Sequence, residues 1–285
     1  MPAINKVTVL GTGVLGSQIA FQAAYFGYDV TAYDISDEIV EKAKDRFAGL
    51  AKVYQTDDTV AATPEKVAAA LAHLALTPDL ADAVVDADLV IEAAPESLDI
   101  KRDLYTKLAD VAPAKSIFAT NSSTLLPSDL KEFTGRPDRF LALHYANQVW
   151  RYNTAEIMGT TDTDPDVYAA VVKFAEGSGL VPIELKKEKA GYVLNSLLVP
   201  FLQAGAGLVL GGYADPETVD KTWRIATGAP AGPFEIYDVV GLTTAYNISA
   251  ASSDPASQQW ATYLKENYID KGKLGVATGE GFYKY

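Results

Sequence analysis

The run Gly11-Thr12-Gly13-Val14-Leu15-Gly16 has the residue types needed to hold a phosphate without a basic side chain. It follows an apolar stretch that reads as a strand and opens one that reads as a helix, the context in which this glycine spacing binds a dinucleotide. Gly11 permits a tight turn, Gly13 lets the backbone approach a pyrophosphate, and Gly16 lets the helix pack close to the sheet. The N–H groups at the helix start, around Val14 and Leu15, then face the phosphates. Asp34 closes the second strand, where a carboxylate accepts hydrogen bonds from the adenosine ribose hydroxyls and repels a 2′-phosphate. No arginine directly follows it, so NAD is favoured over NADP. FAD shares the fingerprint, but nothing later in the chain points to it. The bland alternative is an ordinary glycine turn in which Asp34 caps the next segment.

Proton chemistry has few candidates. The chain has no cysteine, which excludes disulfides and thiolate catalysis, and only two histidines, His73 and His144, which excludes a multi-histidine zinc site. No metal is expected. His144 ends a predicted strand, and its imidazole can take up or release a proton near neutral pH. A lone histidine at a strand end is more often a satisfied structural residue. His73 reads as exposed or capping.

The elements that must position these residues follow from the hydrophobic pattern. Strands are expected at 6–10, 29–33, 74–77, 88–92, 116–120, 139–144, 154–158 and 180–185. Helices are expected at 17–26, 37–47, 64–71, 96–109 and 165–176. Alternation of this kind makes a parallel, doubly wound α/β sheet. After residue 184 no strand-rich segment appears. One long apolar helix spans 192–210, and further helices are expected at 215–226, 234–250 and 255–268. The expected division is an α/β domain over residues 1–184 and an all-helical domain over 185–285.

Across all 285 residues, 24 Lys and Arg face 37 Asp and Glu, a net charge of −13. That argues against general affinity for nucleic acid or an anionic membrane surface. No uninterrupted apolar run is long enough for a membrane span, and the N-terminal residues show no leader pattern, so a cytoplasmic location is expected.

The chain resembles the 3-hydroxyacyl-CoA dehydrogenase family, within it the short 3-hydroxybutyryl-CoA dehydrogenases of fatty acid metabolism. The resemblance runs through Gly11 to Gly16, Asp88-Leu89-Val90-Ile91-Glu92-Ala93-Ala94-Pro95-Glu96, Ala119-Thr120-Asn121-Ser122-Ser123, His144 with Glu156, and Gly191-Tyr192-Val193-Leu194-Asn195. It continues through Gly228-Ala229-Pro230-Ala231-Gly232-Pro233-Phe234 to the Gly281-Phe282-Tyr283 ending. It implies a Rossmann-type NAD domain and a helical domain carrying a homodimer contact. It implies interconversion of a (3S)-3-hydroxyacyl-CoA and its 3-oxo form, with a short acyl chain. By position, His144 is implied as the general base for oxidation and the general acid for reduction, with Glu156 as its partner carboxylate. Ser122 and Asn195 are implied to hydrogen-bond the substrate oxygen, in a cleft between the domains. Glu96, Lys101 and Asn121 are implied to lie along the cofactor channel, and Glu92 has a structural alternative. Taken singly, each of these residues also admits a structural role.

The chain departs from the family after the histidine, in His144-Tyr145-Ala146-Asn147-Gln148-Val149-Trp150-Arg151. Family members commonly have Asn-Pro here; Gln148 replaces the proline, and the fixed torsion goes with it. Trp150 is expected to narrow the acyl pocket. Arg151 is expected either to meet a carboxylate, suiting a free hydroxy acid as in L-gulonate or carnitine dehydrogenases, or to stand exposed. Candidates for CoA-side cations are Lys42, Lys44, Arg46, Lys52 and Lys66. A noncatalytic NADH-binding protein on the same fold is the remaining alternative.

Overall fold

A computed structural model describes residues 3–285. The chain forms two compact units, one running through Val193 and the other Leu194–Tyr285.

The first unit begins with β1 (Lys6–Leu10), α1 (Val14–Tyr25), β2 (Asp29–Tyr33), α2 (Asp37–Thr56), α3 (Pro64–Ala72) and β3 (Leu74–Thr77). It continues with α4 (Leu80–Val84), β4 (Leu89–Glu92), α5 (Leu98–Val111), β5 (Ile117–Thr120) and β6 (Phe140–Tyr145). β7 (Thr154–Gly159), α6 (Pro165–Gly177) and β8 (Val181–Leu185) complete it. The eight strands form one sheet in the order β3-β2-β1-β4-β5-β6-β7-β8. Every neighbouring pair is parallel except β6 and β7, an antiparallel hairpin inside an otherwise parallel sheet. The central strands are buried on both faces, which is why β4, β5 and β6 read as nearly unbroken apolar runs. The strand order reverses between β1 and β4, and such a switch point opens a ligand crevice at the carboxyl ends of the strands.

Two differences from the expected elements have plain causes. α2 runs to Thr56 because Phe47, Leu50 and Tyr54 continue a buried stripe past Gly49. The helix expected over 234–250 is two, α9 (Pro233–Val240) and α10 (Leu242–Ala251), in the second unit. Gly241 breaks it at φ +92°, a torsion that no helix interior accommodates.

The second unit also contains α7 (Leu194–Leu210), α8 (Pro216–Thr227) and α11 (Pro255–Asn267). Leu202, Phe234, Leu242, Trp260 and Leu264 form its core. Two buried carboxylates organise its loops. Asp220 accepts from the N–H groups of Phe234 and Glu235, and Asp238 from those of Phe282 and Tyr283. No helix among the described residues is long and apolar enough to cross a membrane.

Candidate active site

The glycine loop is shaped for close approach. A Cβ on Gly16 would stand 2.0 Å from the Gly11 carbonyl oxygen, and Gly11 itself has φ +103°, so both positions require glycine. A Cβ on Gly13 would meet nothing within 4 Å, which leaves the loop open on its outer side. Gly13 is the N-cap of α1 and has no side chain to cap it, so the first N–H groups of the helix are available to an anion. Val14 lies at that mouth with 68% of its surface exposed. Asp34 Oδ2 accepts from the Thr12 N–H (2.8 Å) and hydroxyl (2.7 Å), which brings its carboxylate to the loop. These residues fit a dinucleotide: turn, bare helix end and ribose-side carboxylate meet at the carboxyl end of β1.

His144 and Glu156 face one another across the β6–β7 hairpin in direct register. His144 Nδ1 lies 3.0 Å from Glu156 Oε2, and both side chains are almost fully buried. An ionised carboxylate only accepts, so Nδ1 carries the proton in that contact and Nε2 is left for chemistry. Glu156 Oε1 accepts from the Val193 N–H at 2.9 Å, which fixes the carboxylate's orientation. The Tyr192 ring stacks on the imidazole with centroids 4.4 Å apart and planes 9° apart. Burial raises the Tyr192 phenol well above its ordinary range, so it stays protonated and donates to the Ser122 carbonyl at 2.8 Å.

The resemblance implies Ser122 at the substrate oxygen; the structure puts the neighbouring serine beside the histidine. Ser123 Oγ stands 3.0 Å from His144 Nε2. Ser122 is buried, donates to Glu96 Oε1 at 2.6 Å and accepts from the Leu125 N–H, so it organises the turn after β5. Asn121 likewise acts on the backbone, its Oδ1 receiving the Tyr145 N–H at 2.9 Å and holding β6 where His144 emerges. Asn195 belongs to the other unit and sits in the first turn of α7.

Glu96 and Lys101 part company. Lys101 is 1% exposed and forms a buried ion pair with Glu92, itself 0% exposed. Its ammonium is thus paired within the protein beside the crevice at the end of β4. Glu96 is more accessible. Burial opposes its ionisation, but hydrogen bonds from Ser122 and Thr124 and the charge of Lys101, 3.6 Å away, hold its carboxyl below the ordinary range.

The loop after His144 leaves Arg151 exposed, one of the two placements expected for it. Trp150 packs on Tyr54, and its indole N–H donates to Asp57 at 3.0 Å. Arg151 pairs with the same carboxylate at 2.9 Å, so it already has a carboxylate partner within the protein. His73 ends α3 as its C-cap and pairs with Asp29.

Comparison with known proteins gives this geometry its context. The model of the 3-hydroxyacyl-CoA dehydrogenase NAD binding domain matches residues 6–189, and that of the same family's C-terminal domain matches residues 191–285. The mitochondrial hydroxyacyl-coenzyme A dehydrogenase of Rattus norvegicus is 35% identical over 99% of this chain and 91% of its own length. A probable 3-hydroxybutyryl-CoA dehydrogenase of Deinococcus radiodurans is 31% identical, over 98% of this chain and 100% of its own. Among solved structures, a diketoreductase studied for substrate-directed dual catalysis of dicarbonyl compounds is 68% identical, with a TM-score of 0.96 over 100% of both chains. The (S)-3-hydroxybutyryl-CoA dehydrogenase PaaH1 of Ralstonia eutropha is 29% identical, with a TM-score of 0.82 over 99% of both chains. The chain thus belongs to the 3-hydroxyacyl-CoA dehydrogenase family, oxidoreductases that use NAD.

Proposed function

We propose that this protein reduces one carbonyl of a small dicarbonyl compound to a hydroxyl at the expense of NADH, and that the compound need not be a CoA thioester. The carrying observation is the 68% identity, over the full length of both chains, to a diketoreductase acting on dicarbonyl compounds. The expected CoA-side cations do not decide between substrates, because the pairs that hold Lys42 and Lys44 are exposed and weak. Lys42 pairs with Glu38 and Lys44 with Glu41. Arg46 donates to the Thr12 carbonyl, and Lys66 lies over the Tyr25 ring. A second reading, reduction of a short 3-oxoacyl-CoA, is favoured by the family's namesake activity and by relatives such as that of Deinococcus radiodurans. A 3-oxoacyl thioester is itself a 1,3-dicarbonyl, so both readings share one chemistry.

NADH, when bound, supplies the hydride that reaches the carbonyl carbon. His144, protonated at Nε2, gives its proton to the carbonyl oxygen, and the Ser123 hydroxyl donates a hydrogen bond to the same atom. Glu156 at 3.0 Å stabilises the imidazolium before transfer, and the Tyr192 ring face adds to it. In the oxidative direction neutral His144 takes the proton from the hydroxyl.

The deciding assay follows loss of NADH absorbance with a simple 1,3-diketone, acetoacetyl-CoA and free acetoacetate at equal concentration. The proposal expects the diketone to give the highest kcat/KM. A clear preference for acetoacetyl-CoA would make the second reading correct, and NADH binding with no turnover would leave a nucleotide-binding protein.

We infer also that the helical unit pairs with a second copy of the chain. It presents Leu197 (69% exposed) and Ile225 (76% exposed) to its surroundings, large side chains that a second copy can cover. Light scattering is expected to give twice the chain mass, and a concentration-independent monomer would count against it.

A further inference from the structure

The turn that joins the His144 strand to the Glu156 strand is held from outside itself. Residues 146–153 lead from β6 to β7 and set the facing of the two side chains. A connection of this length usually has slack. Here it is bonded at both ends.

At the near end the anchor is Gln18 on α1, 6% exposed. Its Oε1 accepts the N–H groups of Gln148 (2.8 Å) and Val149 (3.3 Å), and its Nε2 donates to Asn147 Oδ1 (2.9 Å). At the far end the anchor is Asp57, just after α2, which receives Trp150 Nε1 and Arg151. Hydrogen bonds from the Thr59 hydroxyl and N–H, the indole and the guanidinium hold the Asp57 carboxyl well below its usual range, so it accepts as an anion. Between the anchors Gln148 has φ +58°, left-handed backbone that no proline ring can adopt. A non-glycine residue keeps that torsion only when its surroundings impose it. Both the torsion and the N–H that Gln18 receives require a residue other than the family's usual proline.

We propose that Gln18 and Asp57 are positioning residues for proton transfer, fixing the 146–153 turn and through it the alignment of His144 with Glu156 and Ser123. Gln18 stands on the helix whose N-terminus meets the cofactor, so one amide ties the cofactor helix to the proton-transfer hairpin. The inference rests on the reading of His144 as the acid–base group. Loose anchors would let the imidazole drift, and displacement by an ångström costs on the order of a hundredfold in rate. Anchors that were merely structural would lower stability and leave the turnover of the folded enzyme alone.

The test compares Gln18→Met, which keeps length but loses all three bonds, with Gln18→Glu, which keeps the acceptor for both N–H groups, and with Asp57→Asn. Gln18→Met is expected to lower kcat roughly ten- to a hundredfold while NADH affinity, read by fluorescence titration, stays put. Gln18→Glu is expected to recover most of the loss, and Asp57→Asn to give a smaller fall in the same direction. With only two histidines in the chain, the ring nitrogen NMR signals of His144 can be followed without ligand. They are expected to shift in Gln18→Met while those of His73 do not. Unchanged kcat and unchanged His144 signals in a folded Gln18→Met would overturn the inference. If that variant does not fold, the same pair of results for Asp57→Asn overturns it. A wild-type enzyme inactive on every 3-oxo compound would instead sink the proposed function and leave the NMR comparison to judge the anchors.

Discussion

His144→Gln is expected to abolish most of the turnover, with kcat falling by about three orders of magnitude, while NADH still binds. Glutamine fills much of the imidazole's volume and can still donate to Glu156, so the hairpin keeps its register. What it cannot do is hold a mobile proton at the position of Nε2 and release it to a carbonyl oxygen. The remaining rate comes from cofactor placement and from the Ser123 hydroxyl, which no longer has the imidazole beside it. Single-turnover measurement with saturating NADH separates this effect from product release, and fluorescence titration reports the cofactor. A folded His144→Gln enzyme with wild-type turnover would remove the histidine from the mechanism. Ser123→Ala, by contrast, deletes one hydrogen bond and is expected to cost less than His144→Gln, with the same cofactor affinity.

Much of the route to this site is legible without coordinates. Strands buried on both faces appear as apolar runs such as Leu89-Val90-Ile91, and the glycine loop needs only its flanking strand and helix to be read. His144 stands out because histidine is scarce in this chain. The site's finer structure is harder because neighbouring residues point in opposite directions. Ser122 and Ser123 are adjacent and chemically alike, and only the course of the backbone after β5 sends one to Glu96 and the other to His144. The antiparallel pairing of β6 with β7 is a sheet-level choice that puts Glu156 directly across from His144. Neither the left-handed torsion of Gln148 nor the commitment of Arg151 to Asp57 has a local signature, since each depends on a partner far away in sequence. Lys101 is a like case: nothing local in the sequence shows that its ammonium is buried against Glu92.

That lysine yields the largest expected effect on stability. Lys101 Nζ contacts Glu92 and also donates to the Ala94 carbonyl at 3.2 Å. Glu92 further accepts from the Thr120 hydroxyl and the Ala94 N–H, both at 2.7 Å. Lys101→Met removes the counter-charge and leaves a carboxylate with neutral donors in a site closed to water. Breaking a buried pair from one side costs about 3–5 kcal/mol, a fall in Tm of roughly 5–15 °C. Adding Glu92→Gln removes the stranded charge, and the double variant is expected to regain a large part of the loss. Glu96 adds a pH signature. Its folded-state carboxyl sits below the ordinary range partly through Lys101, so its contribution to stability is present above the unfolded carboxylate range and lost as pH falls through the depressed folded value. Without Lys101 that depression shrinks, and acid unfolding is expected to begin at higher pH. NADH affinity measured well below Tm distinguishes this account from a direct cofactor contact. A Lys101→Met protein as stable as wild type but weak for NADH would return the lysine to the cofactor, whereas an unstable protein that binds NADH normally makes it the counter-ion that lets Glu92 stay buried under the site.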